Sequence, residues 1–286
     1  MRASQRDQLS RNDTKVPDHT IMTTYLGSRL PINLIDTHAH LQWPAFDKDR
    51  EQVIERAFAA GLNTIVSIGY DLSASREAAR IAKNHEGIYA VVGIHPHNAK
   101  AMNVSTVNSL RELAQDPKVV AIGEIGLDYY RDLSPRARQK EAFEQQIRLA
   151  GELELPIVVH DREAHNDVLE MLHRFGKDSK GILHCFSGDL SMAEEVIEMG
   201  YLISIAGPVT YPNARRLHEL VQRLPGESIV LETDCPFLPP QSRRGERNEP
   251  LFVLETAHKV AELKGMQLDE LVELTSRNAR GMFRFR

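Results

Sequence analysis

Short apolar runs rich in valine and isoleucine alternate with longer segments of helical periodicity from residue 32 onward. Such alternation is typical of parallel βα units, because strands that are covered on both faces are apolar throughout. We predict eight strands: Ile32–Asp36, Asn63–Ile68, Tyr89–His95, Val119–Glu124, Pro156–His160, Gly181–His184, Tyr201–Ser204 and Ser228–Glu232. The helices located by the same pattern include Asp47–Ala60, Arg138–Leu153, Ala164–Phe175, Ala193–Gly200, Pro250–Lys264 and Leu268–Met282.

Eight strands that alternate with helices predict an α/β fold, most simply a (β/α)8 TIM barrel with additional C-terminal helices. An open doubly wound sheet is the alternative, but no GxGxxG follows the first strand, which removes the dinucleotide-binding version of that fold. We therefore expect a single barrel domain over residues 32–286. Residues 1–31 are polar and lack a sustained apolar period, and we expect a disordered or loosely docked extension there.

Composition and charge narrow the classes of function. No run approaches the ~18 apolar residues of a membrane-spanning helix, and two cysteines, Cys185 and Cys235, are too few for a disulfide framework. We therefore predict a cytoplasmic protein without a membrane partner. The chain has 35 Lys and Arg against 40 Asp and Glu, a net charge of -5. A generic nucleic-acid binder is basic, so any role on nucleic acid must depend on a local site.

Polar side chains that can hold a metal ion follow the ends of most predicted strands. They are His38 and His40, His95 and His97, Glu124, His160, His184, and Glu232 with Asp234. The carboxyl-terminal ends of barrel strands carry the catalytic residues of this architecture. Neutral imidazole and carboxylate groups are ligands of divalent cations, so the sequence predicts a metal centre at that face of the barrel.

The spacing of these residues indicates how two ions would be held. His38 and His40 are two residues apart, so both side chains point to one face of an extended strand end. Glu124 has two oxygens and can bridge two ions. The remaining candidates complete the two positions, Asp234 the first, and His160 and His184 the second. Two ions ~3.5 to 4 Å apart can activate a water and stabilise a leaving oxygen, which is the chemistry of hydrolysis.

Six motifs, in this order, resemble those of the TatD-like deoxyribonucleases. They are Leu34-Ile35-Asp36-Thr37-His38-Ala39-His40, Gly93-Ile94-His95-Pro96-His97, Gly123-Glu124-Ile125-Gly126-Leu127-Asp128-Tyr129, Val159-His160-Asp161-Arg162, His184-Cys185-Phe186-Ser187-Gly188 and Glu232-Thr233-Asp234-Cys235-Pro236. The resemblance implies an amidohydrolase-like barrel and metal ligands at His38, His40, Glu124, His160, His184 and Asp234. It also implies a magnesium-dependent deoxyribonuclease with 3'-to-5' exonuclease action.

Candidate substrate contacts lie near the ligands: they are His95, Asp128, Arg162, Arg243, Arg244 and Arg247. Arg162 follows His160 by two residues, so it can face the same way and clamp an anionic phosphate. The three loop arginines follow the last strand, and His95 is a pocket candidate because the ligand set is full without it. The structural alternatives are a turn for Asp128, an ion pair for Arg162 and a solvated loop for the arginine cluster.

These residues predict a hydrolase with a defined division of roles. We expect Asp234 to be the general base and Glu124 to be mainly a bridge between two divalent ions. The ligand set alone fits magnesium, manganese or zinc, and magnesium comes from the resemblance. DNA is the expected substrate. The alternatives are a hydrolase of a small ester, lactone or amide, which the acidic charge permits, and a non-catalytic metal-binding interaction protein.

Overall fold

The computed structural model describes residues 33–177 and 179–285. The predicted extension at residues 1–31 and the first residue of the first predicted strand lie outside them. Eight parallel strands form one sheet in the order of the chain. They are β1 Leu34–Ala39, β2 Leu62–Ile68, β3 Ile88–Val92, β4 Val119–Asp128, β5 Ile157–Arg162, β6 Gly181–Leu183, β7 Tyr201–Ile205 and β8 Ile229–Leu231. The (β/α)8 prediction is confirmed, and the open doubly wound alternative is wrong.

Nine α-helices lie in the part of the chain that the structure describes. They are α1 Arg50–Ala59, α2 Leu72–Asn84, α3 Val104–Leu113, α4 Arg136–Leu153, α5 His165–Phe175, α6 Leu190–Glu198, α7 Arg215–Arg223, α8 Val253–Lys264 and α9 Leu268–Phe283. The six helices located in the sequence are present, and α2, α3 and α7 are the ones it did not locate. Over the described residues, no helix combines the length and the apolar character needed to cross a membrane.

Two strand ends differ from the prediction for identifiable reasons. Strand β3 stops at Val92, because the main chain of Ile94 is bound by Gln146 of α4, which accepts from its N–H (2.7 Å) and donates to its carbonyl (3.0 Å). Strand β4 continues to Asp128, because its last residues still pair with β5. Strand β3 is thus shorter than predicted, whereas the longer β4 carries Asp128 further toward the mouth of the barrel than the apolar pattern indicated.

Bonds between β1 and the segment after β8 close the barrel. Thr37 donates its hydroxyl to the carbonyl of Leu231 (2.9 Å). The backbone N–H of His40 donates to the carbonyl of Cys235 (2.8 Å), and that of Asp234 donates to His38 (2.9 Å). The seam of the barrel therefore runs through the residues predicted to bind the first metal ion.

The other end of the barrel is sealed by the C-terminal helix. Ala279 and Phe283 of α9 pack in one buried cluster with apolar side chains from the strands, among them Ile35, Val91 and Val230. Burying such side chains contributes roughly 1.5 to 3 kcal/mol each. This sealed end leaves the carboxyl-terminal face as the open face of the barrel.

Candidate metal centre

The six predicted metal ligands converge at the carboxyl-terminal face. His38, Glu124 and His160 lie within strands β1, β4 and β5. Of the other three, His40 and His184 directly follow β1 and β6, and Asp234 is the third residue after β8. All eight strands run parallel, so residues at their carboxyl ends meet at one end of the barrel. This common direction brings together side chains that are far apart in the sequence.

His38, His40 and Asp234 form one group of candidate ligands. The Nε2 atoms of the two histidines lie 3.3 Å apart. Oδ1 of Asp234 lies 3.7 Å from Nε2 of His38 and 3.4 Å from Nε2 of His40. Three donor atoms thus point at one position, as a single cation requires. The backbone of Asp234 is left-handed, with φ of 55°, a conformation that aspartate tolerates better than most residues.

Glu124 joins this first group to a second one. Its Oε2 lies 3.5 Å from Nε2 of His38, on the side of the first group. Its Oε1 lies 2.7 Å from Nδ1 of His160 and 2.9 Å from Nε2 of His184. The two oxygens of one carboxylate therefore face different sets of imidazoles, which is the arrangement that a bridging ligand needs.

His95 lies closer to this second group than its predicted role in a substrate pocket requires. Its Nε2 is 3.4 Å from Oε1 of Glu124, and these two residues form a further group of candidate ligands with His160. Burial lowers the pKa of His95 to about 4, with Glu124 acting in the opposite direction. His95 is thus a neutral imidazole beside the carboxylate of Glu124.

The pKa values around Glu124 indicate a site that favours positive charge. Burial would raise the pKa of Glu124, but His184, His95 and His160 outweigh burial and hold it well below its usual range. Burial would lower the pKa of His184, but the carboxylates of Glu124 and Glu232 raise it well above its usual range. Four carboxylates here are almost fully buried, those of Asp36, Glu124, Asp128 and Glu232. Such charges are expensive to bury without cationic partners.

Glu232 and Asp36 are buried carboxylates that contact the candidate ligands or the segments that carry them. Glu232 accepts from the backbone N–H of Cys185 (2.7 Å) and the hydroxyl of Ser204 (2.5 Å), and its Oε1 lies 3.4 Å from Nδ1 of His184. Asp36 accepts from the hydroxyl of Thr233 (2.6 Å). Carboxylates in such positions orient metal-binding imidazoles. The sequence analysis noticed Glu232 at its strand end but assigned a role to neither residue.

Asp128 was predicted to position the substrate, but its carboxylate is turned toward the protein. The residue is fully buried. Its Oδ2 lies 2.8 Å from Nε2 of His97 and 3.1 Å from Nε2 of His160, and its Oδ1 accepts from the backbone N–H of Arg131 (2.7 Å). Asp128 therefore holds the ring nitrogen of His160 opposite the one that faces Glu124.

The loop arginines are engaged with the protein itself. Arg247 donates to Asp49 (2.8 and 2.6 Å) and to Glu249 (3.0 Å), and its guanidinium lies over the ring of Phe46. The two others stack on aromatic rings, Arg243 on Phe252 and Arg244 on Tyr211. Arg247 thus ties the loop after β8 to the start of α1, an arrangement that differs from both the predicted substrate contact and the solvated loop considered as its alternative.

A groove of about 1080 Å³ leads away from the metal centre. Its lining includes the candidate ligands His184 and Asp234 and three arginines, Arg162, Arg216 and Arg223. It also includes the carboxylates of Asp161, Asp189, Glu195 and Glu219, of which Asp161 contacts His165 and Glu195 contacts His173. Within residues 33–177 and 179–285 no carboxylate pairs with these three exposed arginines, and Arg162 lies over the ring of Tyr130. Sequence reasoning found Arg162 but missed the two arginines of α7, because only the packed barrel brings that helix to the open face.

The donor set satisfies the chemical requirements for divalent cations. Imidazole and carboxylate suit magnesium, manganese and zinc to different degrees, and a buried cluster with excess carboxylate gains from added positive charge. Nδ1 of His38 is buried without a hydrogen bond to the described residues, and Nδ1 of His184 has only the 3.4 Å approach of Glu232, so both rings depend chiefly on their other nitrogen. In each ring that other nitrogen, Nε2, faces Glu124.

A parallel eight-stranded barrel with histidines and carboxylates converging at its open end defines the class of metal-dependent barrel hydrolases. The family model of the TatD related DNases matches residues 35–284. YabD of Bacillus subtilis, named a metal-dependent hydrolase, is 44% identical over 252 residues, which are 88% of this chain and 99% of YabD. The "3'-5' ssDNA/RNA exonuclease TatD" of Erwinia amylovora is 37% identical over 257 residues, 87% of this chain and 99% of its own.

A solved structure gives the same assignment. The crystal structure of YjjV, a TatD homologue from Escherichia coli, matches with a TM-score of 0.83 at 30% identity, covering 88% of this chain and 98% of that one. The chain belongs to the TatD-related DNase family, and it is a metal-dependent hydrolase of the TatD type.

Proposed function

We propose that this protein hydrolyses phosphodiester bonds of single-stranded nucleic acid, DNA in the first place, and removes nucleotides from the 3' end. The observation that carries the proposal is a groove that contains ligands of the candidate metal centre together with three arginines, none of which pairs with a carboxylate among the described residues. A groove of this kind fits a chain of phosphates better than it fits a small uncharged ester. The name of the relative from Erwinia amylovora supports the same substrate.

Two divalent ions would be held by the six ligands. His38, His40 and Asp234 would hold one, and Glu124 would bridge it to the other, which His160 and His184 would complete. Ions in these positions supply the activation of water and the neutralisation of charge on the leaving oxygen. We take magnesium as the first candidate, with manganese and zinc as alternatives that a mixed imidazole and carboxylate site also accepts.

Asp234 is the residue that we assign to proton transfer. Its side chain is 13% exposed, whereas that of Glu124 is only 4% exposed. Asp234 also lines the groove, so its carboxylate can receive a proton from a water that approaches the substrate phosphate. Glu124 is surrounded by imidazoles and is left to bridge. Asp128 and Glu232 act as positioning residues, because they hold His160 and His184 through the ring nitrogen that turns away from Glu124.

We assign Arg162 to the substrate phosphates nearest the metal centre. It is the last residue of β5, directly after His160 and Asp161, and it lines the groove. Its guanidinium, stacked on Tyr130 at 4.0 Å, is held in place with its donors at the edge of the plane. We further propose that residues 1–31 are a disordered or loosely docked extension and that the protein is cytoplasmic.

The first test follows single-stranded DNA labelled at its 5' end. Protein stripped of metal should leave it intact, and added magnesium or manganese should restore stepwise shortening from the 3' end. His184→Ala should lose both metal binding, measured by calorimetry, and shortening, because it removes a ligand that the bridge depends on. His85→Ala is the matched control, since His85 lies beside Glu51 at the far end of β3.

Two other outcomes would overturn this function. Intact DNA together with metal-dependent cleavage of a small phosphodiester or a lactone would favour a hydrolase of small esters. Metal binding without turnover of any ester would indicate a non-catalytic metal-binding protein.

A further inference from the structure

Three aromatic rings stand around the open side of the first group of ligands. The ring centroids of Tyr70, Phe237 and Trp43 lie 5.9, 6.1 and 6.3 Å from that of His40. Trp43 lies 5.0 Å from each of the other two. We call these three side chains the aromatic shelf. They come from three separate segments, after β1, β2 and β8, so the barrel fold is what brings them together.

Each ring of the shelf reaches solvent. Phe237 is 40% exposed, and Trp43 and Tyr70 are half-buried. An aromatic side chain contributes most when it is fully buried, so three rings that share a partly wet cluster next to a polar centre leave apolar area uncovered. Such faces are the surfaces on which single-stranded nucleic acids stack their bases.

The backbone that carries the shelf is held firmly. The carbonyl of Tyr70 accepts from the N–H of His95 (2.9 Å) and the side chain of Asn98 (3.1 Å). The carbonyl of Phe237 accepts from the side chain of Asn248 (2.6 Å), a buried residue. A rigid stacking surface loses little conformational entropy when a ligand binds. The shelf is therefore built as a binding surface before any ligand arrives.

The shelf and the groove lie on different sides of the centre. The shelf follows β1, β2 and β8, whereas the groove runs chiefly along the residues after β5, β6 and β7 toward α7. A strand whose body occupies the groove and whose scissile phosphate lies at the ligands must direct its last nucleotide toward the opposite side. That nucleotide meets the shelf.

We propose that the aromatic shelf of Trp43, Tyr70 and Phe237 binds the base of the 3'-terminal nucleotide, the one that is released. This inference rests on the proposed exonuclease function and adds to it the subsite for the leaving nucleotide. Stacking accepts any base, because every base has a π-face. The shelf therefore recognises the presence of a terminal base without selecting its identity.

The test compares 5'-labelled oligonucleotides that carry a base on every nucleotide, lack the terminal base, or lack the penultimate base. For the wild-type protein, removing the terminal base should raise KM about tenfold, the loss of one stacked base. Removing the penultimate base should have a smaller effect. In Trp43→Ala and Phe237→Ala the complete oligonucleotide should show the higher KM, and the effect of the missing terminal base should disappear. Trp43→Phe should restore it.

Several results would overturn the shelf. If the variants raise KM equally for the complete and abasic oligonucleotides, the rings only support His40. If KM depends more strongly on the penultimate base than on the terminal base, the shelf binds the penultimate nucleotide, which contradicts the proposal. If the wild type shortens all three oligonucleotides equally, the shelf does not bind the terminal base, but the protein is still an exonuclease. If it shortens none of them, the proposed function is wrong as well. Phe175→Ala, which truncates a half-buried aromatic ring at the end of α5, controls for general destabilisation.

Discussion

Asp234 combines a backbone conformation that few side chains adopt with a carboxylate that reaches both the ligands and the groove. The left-handed turn at this residue follows β8 directly. Its N–H donates to His38 and its carbonyl accepts from Phe237, so the turn is bonded on both sides (2.9 Å each). The carboxylate is consequently delivered to one place with little freedom, as a group that receives a proton in the reaction requires.

Replacing this carboxylate by its amide isolates the proton-accepting role. Asp234→Asn should lower kcat for single-stranded DNA at least about 100-fold, because the amide cannot accept the proton while its size is the same. Metal content and thermal stability are measured alongside. Asp132→Asn is the matched control, since Asp132 also has a left-handed backbone (φ 49°) but lies at the surface beside Arg136. Nearly full kcat with metal retained in Asp234→Asn would show that another group is the base.

At the scale of single residues, the sequence located the candidate metal ligands better than it predicted which side chains contact each other. His38, His40 and Glu124 could be located because polar residues at the ends of apolar runs stand out. The direction of Asp128 could not be predicted, because it depends on the placement of His97 from a neighbouring loop. The contact of Arg247 with Asp49 could not be predicted either, since Asp49 lies almost two hundred residues earlier in the chain.

At the scale of elements, the close approach of β4 and β5 fixes where Glu124 and His160 stand relative to each other. Gly126 lies opposite His160 in this pair, with φ of 137°. A Cβ atom there would lie 2.0 Å from the carbonyl oxygen of His160. The apolar pattern showed that these strands exist. It did not show that β4 continues to Asp128, because glycine and polar residues do not continue an apolar run.

Adding a methyl group at this position should separate the strands. Gly126→Ala should reduce the free energy of unfolding by about 2 kcal/mol or more, from both the clash and the unfavourable backbone angle. Gly151→Ala should have the opposite effect on the free energy of unfolding, because Gly151 lies in α4 with open space around it. That change should stabilise the protein by about 0.5 to 1 kcal/mol. Denaturant unfolding measures both, and equal stability of the two variants would contradict the assigned role of Gly126.

For the molecule as a whole, charge is unevenly distributed. The net charge is -5, yet the groove carries Arg162, Arg216 and Arg223 without paired carboxylates among the described residues. Composition alone gave no sign of these groove arginines. Two of them lie on α7 and join Arg162 of β5 in the groove only because of the packing of that helix.

The groove arginines predict that KM depends on salt, which the negative net charge alone does not predict. The KM for a long single strand should rise steeply with salt, and Arg216→Ala/Arg223→Ala should reduce the logarithmic slope by about 1.4, since each phosphate contact contributes about 0.7. Arg148→Ala, on the outer face of α4 beside Glu144, should leave the slope unchanged. Cleavage of a small phosphodiester should respond little to salt. A slope that is the same in the double variant and the wild type would place the strand elsewhere.

The seam between β1 and the segment after β8 also determines when the protein becomes competent during its synthesis. His38 and His40 leave the ribosome early, whereas Asp234, which shares their cation position, is among the last parts of the barrel to be made. A nascent chain that ends before this segment has the earlier strands but lacks the residues that close the seam, and its set of donors is incomplete. The complete set of candidate ligands therefore arrives only together with closure of the fold.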